Sequence, residues 1–379
     1  MPRFDMLGPD VISAGRATDA YFLRTEESLE AAGKNPVVTL EVTVDQRPTG
    51  SYDLFAGIKD LAHLLEGLPV DVDALEEGRL FDGGPVVRIT GPYLSVARYE
   101  TSMLGFLSHA SAFATRALAA RRAAPDATLM SFGSRHVHPA IAPVVERSAL
   151  LAGFDGFSHV AAGELLGRDA SGTMPHSLIL CFGRGNQQAA WRAFNEGVAS
   201  DVPRIALCDT FGDEVEEVLA AVDVLGEDLD SVRIDTTSSR RGDFRAIIQE
   251  VRWELDAAGL GDVGIFASGG IDVESMQRLR DLVDGFGVGS FITNADPLDF
   301  ALDIVSIDGE AIAKRGKFSG VKDVYRSDTG ETIIQRATEP APDNGEPLLA
   351  PLIRDGEVVR SFDLAEATER ARNEPDQVA

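Results

Sequence analysis

The chain reads as an α/β protein: an N-terminal α+β domain over residues 1–120, a β/α barrel or sheet over 121–320, and a small segment over 321–379 that packs back on the first domain. Three observations predict this. Between residues 127 and 290, short apolar runs end in Gly or polar residues, and each is followed by a helical stretch, the texture of parallel βα units. Before that region a strand-like segment mixes with helical ones, and beyond about Gly320 the chain turns polar and rich in Pro and Gly. The length of 379 residues exceeds the ~250–300 that one core organises, which suits two modest domains or one barrel with additions.

Taken in order, Val37–Val44 predicts a strand and residues 56–66 a helix. Residues 98–122 have few breakers and many Ala, Leu and Phe, which predicts a long buried helix that Pro125 ends. Six strands follow, at 128–132, 157–160, 177–180, 204–208, 232–234 and 265–267, with a weaker seventh at 286–290. Such alternation either closes into a barrel or opens into a doubly wound sheet, and in both the functional groups collect at the C-terminal ends of the strands. Arg135, Asp209, Asp235 and Ser268-Gly269-Gly270 stand there. Residues 339–347 read as a loop, and 361–379 as a helix with a frayed tail.

Composition narrows the function. Hydrophobic residues make up 44%, and no apolar run approaches the ~20 residues of a membrane span. The N-terminus lacks a basic segment followed by an apolar one, so the cytoplasm is the expected location. Cys181 and Cys208 lie in apolar stretches without ligand spacing and are expected to be core thiols. With 61 acidic against 35 basic residues the net charge is −26, a field that repels nucleic acids and anionic membranes. Only five basic residues are lysines. This balance resembles adaptation to high salt, where the Debye length falls to about 3 Å at molar concentration. Three of the five, Lys314, Lys317 and Lys322, fall within nine residues and call for a reason.

Two Gly-rich strand ends, residues 268–272 and 285–290, lie one βα unit apart. Their backbone N–H groups suit a phosphate cradle, or the glycines merely relieve crowding in tight turns. Asp209 and Asp235 each close an apolar run, as acids for ribose hydroxyls or Mg²⁺-diphosphate or as helix caps. Arg135 and Arg233 sit where they would meet an anion, or form surface ion pairs. His136 and His138 have i, i+2 spacing with no third ligand nearby, a weak metal signal, and no metal ligand is assigned. His176, after a Gly-Pro loop, is either a cavity-facing nucleophile toward a phosphoryl group or a structural histidine.

In sequence order, residues 18–25 around Tyr21, Phe132-Gly-Ser-Arg135-His-Val-His138-Pro139, Gly153-Phe-Asp-Gly-Phe-Ser158, Gly172-Thr-Met-Pro-His176-Ser177, Val232-Arg-Ile-Asp235, Ser268-Gly-Gly270, Gly285-Phe-Gly-Val-Gly289 and residues 317–326 resemble the signature of the nicotinate and nicotinamide phosphoribosyltransferases. The resemblance implies a type II phosphoribosyltransferase-like barrel. It implies transfer of phosphoribose from phosphoribosyl pyrophosphate to nicotinate in NAD biosynthesis, with Mg²⁺ and ATP turnover. It casts Phe132 as the aromatic that stacks on the pyridine, and Tyr21 as one that a partner subunit lays on the other face, so a homodimer or larger oligomer. It assigns Arg233 and Arg135 to the substrate anions, Asp209 and Asp235 to ribose and Mg²⁺-pyrophosphate, and Ser268, Gly269, Gly270, Gly287 and Gly289 to the 5′-phosphate. His176 matches the histidine that ATP phosphorylates, and Lys314 and Lys317 match pyrophosphate contacts.

Related chains that prefer the amide carry Asp where this one has Ser158, so Ser158 points to nicotinate. The chain departs from the pattern at His159, where relatives often have Asn, and it has no cysteine after Cys208 for the zinc knuckle some relatives carry. The alternatives are a nicotinamide enzyme, a quinolinate enzyme, whose basic Arg-Lys-Thr strand is absent here, and a non-catalytic nucleotide-binding relative.

Overall fold

The computed structural model describes residues 4–44 and 52–375. Residues 1–3 of the N-terminus read for a signal, and residues 376–379 of the expected frayed tail, lie outside the described residues. The chain divides into two compact units, Met1–Thr115 with Asp296–Ala379, and Arg116–Ala295. Among the described residues no helix is long and apolar enough to cross a membrane.

The main elements in chain order are α1 (Ala20–Ala31), β1 (Val37–Val44), α2 (Ile58–Leu65), β2 (Asp71–Leu75), β3 (Pro85–Pro92), α3 (Glu100–Ala123), β4 (Thr128–Ser131), α4 (Ala142–Leu151), β5 (Gly156–Phe157), α5 (Val160–Leu166), α6 (His176–Phe182) and α7 (Gln187–Gly197). They continue with β6 (Ile205–Leu207), α8 (Glu214–Leu225), β7 (Ser231–Ile234), α9 (Phe244–Ala257), β8 (Gly264–Ala267), α10 (Val273–Leu279), β9 (Gly285–Val288), β10 (Phe300–Ile307), β11 (Leu349–Arg354) and α11 (Leu364–Asn373).

In the first unit a seven-stranded sheet places β10, β1, β3, β2 and β11 side by side in that order, with all these neighbours antiparallel. Residues 300–307, read from sequence as part of the 121–320 barrel domain, form β10 and pair with β1. Glu41 of β1 faces Asp303 of β10 across the ladder. Both are buried, and like charges in directly opposed positions repel. The lysine cluster answers that repulsion. Lys322 Nζ lies 2.7 Å from Glu41, and Lys314 and Lys317 lie 2.7 and 3.2 Å from Asp303.

The second unit is a six-stranded parallel sheet in the order β5-β4-β9-β8-β7-β6. Read as a circle, the strands follow the chain (β6, β7, β8, β9, then back to β4 and β5) and the ring stays open between β5 and β6. The fold class is therefore the expected one, an α+β domain with an irregular, half-closed β/α barrel. Apolar residues drive it: Leu129, Val232, Ile234, Ile265, Phe286 and Val288 are all fully buried, each contributing roughly 1.5–3 kcal/mol.

The strand expected at residues 177–180 is instead part of helix α6. Pro175 begins it with a fixed φ, and a four-residue apolar run carries no period that separates strand from helix. Only Ile179 of that helix is buried, while Leu180 and Phe182 are exposed. α6 also exposes Cys181, which corrects the expectation of a core thiol, whereas Cys208 is buried as expected.

Candidate active site

The C-terminal strand ends of the second unit open on a cavity of ≈ 850 Å³, lined from that unit alone. Phe132 leaves β4 with its N–H bonded to Val288 O at 2.7 Å, which lays its ring across Gly287. A Cβ at residue 287 would overlap that ring and press on Ser268, so this position requires glycine for close approach. The guanidinium carbon of Arg233 lies 5.4 Å from the centre of the Phe132 ring, within cation–π range. Arg233 is fully committed: it donates to Ser268 Oγ at 2.9 Å, Thr173 Oγ1 at 2.6 Å and Asp235 Oδ2 at 2.8 Å. Arg135, in the 3-10 turn Ser134–His136, is exposed and makes no ion pair among the described residues. It is the guanidinium left for an anion. Burial, and then the charge of Arg135, hold His136 below its ordinary range.

Asp209 follows β6, with a side chain 1% exposed. Its Oδ1 meets His176 Nε2 at 3.0 Å and its Oδ2 accepts the N–H of Asp235 at 2.8 Å. The hydrogen bond to Asp209 raises the His176 pKa above its ordinary 6.5, against the opposing pull of burial. With Nε2 directed at the carboxylate, Nδ1 is the ring nitrogen that has no protein partner among the described residues. Neither Asp209 nor Asp235 caps a helix. That task falls to Asp213, Asp243 and Asp272, at the starts of α8, α9 and α10.

Gly269 and Gly270 have φ of +83° and +66°, left-handed values that a residue with a side chain rarely adopts. A Cβ on Gly269 would also run into Asp235. Arg241 holds this turn from behind, donating to Ser268 O at 3.0 Å, Gly269 O at 2.5 Å and Thr236 O at 2.9 Å. Glu217, buried on α8, does the same for the loop after Asp209, accepting the N–H groups of Thr210, Phe211 and Gly212 at 2.9, 2.8 and 2.7 Å. Sequence reading missed both residues. Each lies in a helix beyond its strand, and Glu217 sits in an acidic run that reads as solvated surface.

The cavity thus gathers Phe132, Arg135, Ser158, His176, Arg233, Asp235, Ser268, Gly269, Gly270, Gly287 and Gly289. Asp209 stands behind His176 and outside the lining. Tyr21, Lys314 and Lys317 belong to the first unit, where Tyr21 is exposed on α1 and the two lysines pair with Asp303.

Residues 19–111 match the model of the quinolinate phosphoribosyl transferase N-terminal domain, and residues 113–303 match that of its C-terminal domain. The chain belongs to the quinolinate phosphoribosyl transferase family. Within it, the crystal structure of nicotinate-nucleotide pyrophosphorylase from Pyrococcus furiosus is 46% identical, covers 100% of this chain and 99% of its own, and superposes with a TM-score of 0.94. Nicotinate phosphoribosyltransferase pncB1 of Mycobacterium tuberculosis is 29% identical over 93% of this chain and 89% of its own. Human nicotinic acid phosphoribosyltransferase, at 22% identity over 96% of this chain and 94% of its own, shares the fold with a TM-score of 0.74. The family assigns the coarse function: the protein is a phosphoribosyltransferase of NAD biosynthesis that acts on small molecules.

Proposed function

We propose that the pyridine acceptor is nicotinate, and that the protein forms nicotinate mononucleotide and pyrophosphate from nicotinate and 5-phosphoribosyl-1-pyrophosphate. The observation that carries this reading is that, of the two arginines lining the cavity, Arg233 is committed and Arg135 makes no ion pair among the described residues, with Ser158 and Phe132 in the same lining. One free cation suits a monocarboxylate, and a serine does not repel it as an aspartate would. In the reaction the C1′–O bond to pyrophosphate breaks and takes its electron pair with the leaving group, while the ring nitrogen's lone pair forms the new C1′–N bond. No proton has to be removed from the acceptor. The residues therefore contribute mainly orientation and fixed charge. Phe132 and Arg233 hold the ring in line, and the turn at Ser268–Gly270 offers N–H donors to the 5′-phosphate.

Mg²⁺ fits at Asp235, which lines the cavity and engages Arg233 only through Oδ2. Asp209 is unsuited, because both its oxygens are occupied and it is buried. Among the described residues no group of three or more His, Cys, Asp or Glu is placed to hold a metal. The ion would thus share Asp235 with diphosphate oxygens, the usual mode for Mg²⁺, and when bound would neutralise charge on the leaving group. ATP coupling is part of the proposal. With its Nε2–H donated to Asp209 Oδ1, the neutral His176 ring presents the Nδ1 lone pair, which attacks the γ-phosphorus as the bond to ADP breaks. The exposed Tyr21 is offered to a second copy, so the proposed enzyme is a homodimer. Lys314 and Lys317 would serve pyrophosphate only after release from Asp303.

A second reading, quinolinate as acceptor, is favoured by the family models and by the 46% identity to the Pyrococcus protein. Steady-state release of pyrophosphate with nicotinate, nicotinamide and quinolinate, each with and without ATP, separates the readings. Turnover of nicotinate in preference to both others, stimulated by ATP, is expected. Carbon dioxide release from quinolinate at higher kcat/KM would replace nicotinate with the dicarboxylate.

A further inference from the structure

His159 immediately follows Ser158 at the end of β5 and forms the N-cap of α5, where its Nδ1 accepts the N–H of Ala162 at 3.1 Å. A ring nitrogen that accepts a hydrogen bond carries no hydrogen, so the single proton of the neutral imidazole is fixed on Nε2. Among the described residues nothing meets that Nε2–H, yet the half-buried ring lines the cavity. The cap thus turns the histidine into a donor of fixed orientation with no protein acceptor.

Its place in the sheet says what it faces. In the order β5-β4-β9-β8-β7-β6 the glycine turns belong to β8 and β9, while His159 extends from β5, on the opposite side of the strand that carries Phe132. The donor therefore belongs to the end of the strand order away from the glycine turn of β8, with Ser158 just before it in the chain and Arg135 in the same cavity lining. Ser134, from the same corner, is anchored to the fully buried Glu146, which holds that wall in place.

We propose that His159 is a specificity-determining residue whose Nε2–H donates to the carboxylate of the pyridine substrate, acting with Arg135 and Ser158. This rests on the proposed function and adds the group that recognises the acid. A neutral N–H of fixed tautomer binds a carboxylate oxygen without adding a second positive charge to the one Arg135 carries, and an amide NH₂ presented to it would leave two donors facing each other.

The test is a pair of substitutions that both keep the helix cap. In His159→Ser the hydroxyl oxygen caps Ala162 without adding charge and is too short to put a donor where Nε2 stands; in His159→Asn the amide oxygen caps while its NH₂ restores one. KM for nicotinate, KM for phosphoribosyl pyrophosphate and the nicotinate-to-nicotinamide ratio of kcat/KM are measured for each, with thermal unfolding as a check on the fold. The expected result for His159→Ser is a nicotinate KM raised roughly tenfold to a hundredfold, little change for phosphoribosyl pyrophosphate, and a collapsed ratio. His159→Asn recovers most of the loss. An unchanged nicotinate KM in His159→Ser, or an equal rise for both substrates, overturns the assignment while leaving the nicotinate reading intact. A wild-type protein that does not turn over nicotinate removes both.

Discussion

Replacing Asp209 by asparagine isolates the pair that poises His176. The asparagine carbonyl keeps the N–H of Asp235, now held at 2.8 Å, and turns its NH₂ toward His176 Nε2. That nitrogen must then accept, which moves the imidazole proton to Nδ1 and removes the lone pair proposed to attack ATP. A charge-assisted hydrogen bond is worth about 1.5–3 kcal/mol. The His176 side chain is 36% exposed, so solvent screening places the loss at the low end, about 1.5 kcal/mol. At about 2–4 °C per kcal/mol for a domain of this size, Tm falls by roughly 3–6 °C. The dependence on pH is the sharper readout. The folded pKa of His176 is raised above 6.5, so this stabilisation is complete below pH 6.5 and is lost as pH rises through the folded value. The Tm gap between wild type and variant is therefore largest near pH 6 and closes toward pH 9, and acid-labile label from γ-labelled ATP disappears in the variant. A gap that stays constant from pH 6 to 9, or labelling that survives the substitution, would refute the assigned tautomer.

Three further outcomes follow from other parts of the molecule. Lys322→Met leaves Glu41 buried with, among the described residues, the backbone N–H of residue 322 as its one remaining hydrogen-bond donor and costs about 3 kcal/mol, read as a lower denaturant midpoint at unchanged m-value. Glu100, pushed up to about 7 by burial and by Asp303, is destabilising when ionised, so Glu100→Gln raises Tm at pH 8 and leaves it unchanged at pH 5; a gain at both pH values would locate the effect elsewhere. With a charge of −26, Tm rises from dilute buffer to molar KCl as self-repulsion is screened, and a flat salt dependence counts against salt adaptation.

Much of the second unit was legible because its strands are short apolar runs that end in Gly or Asp, and because the residues at those ends are the ones the cavity collects. Val37–Val44 and the long helix could be read from alternation and from the absence of breakers. The segment at 177–180 was not legible, since four apolar residues fit either period and its exposed Leu180 and Phe182 look like core in a string of letters. Neither was the partner of β1, which lies more than 250 residues away in β10. Arg241 and Glu217 escaped for a related reason. Their importance comes from backbone groups they hold, and backbone geometry leaves no mark on composition. The lysine cluster was noticed, but the two opposed acids that give it a structural reason become visible only when Glu41 and Asp303 are set side by side.

The interruption of the first unit by the second has a temporal consequence. Everything from Arg116 to Ala295 emerges from the ribosome before β10 and β11 exist, so the inserted parallel sheet can close its last pairing, β9 against β4, while β1 and β2 still present open edges. The eight-residue edge of β1 is largely apolar, the kind that invites pairing between chains, and both edges stay open until roughly the last fifth of the polypeptide arrives. Synthesis that stalls after residue 295 would release a chain with a finished catalytic sheet and an unprotected β-ribbon, which makes aggregation of truncated product, rather than loss of the cavity, the failure to expect.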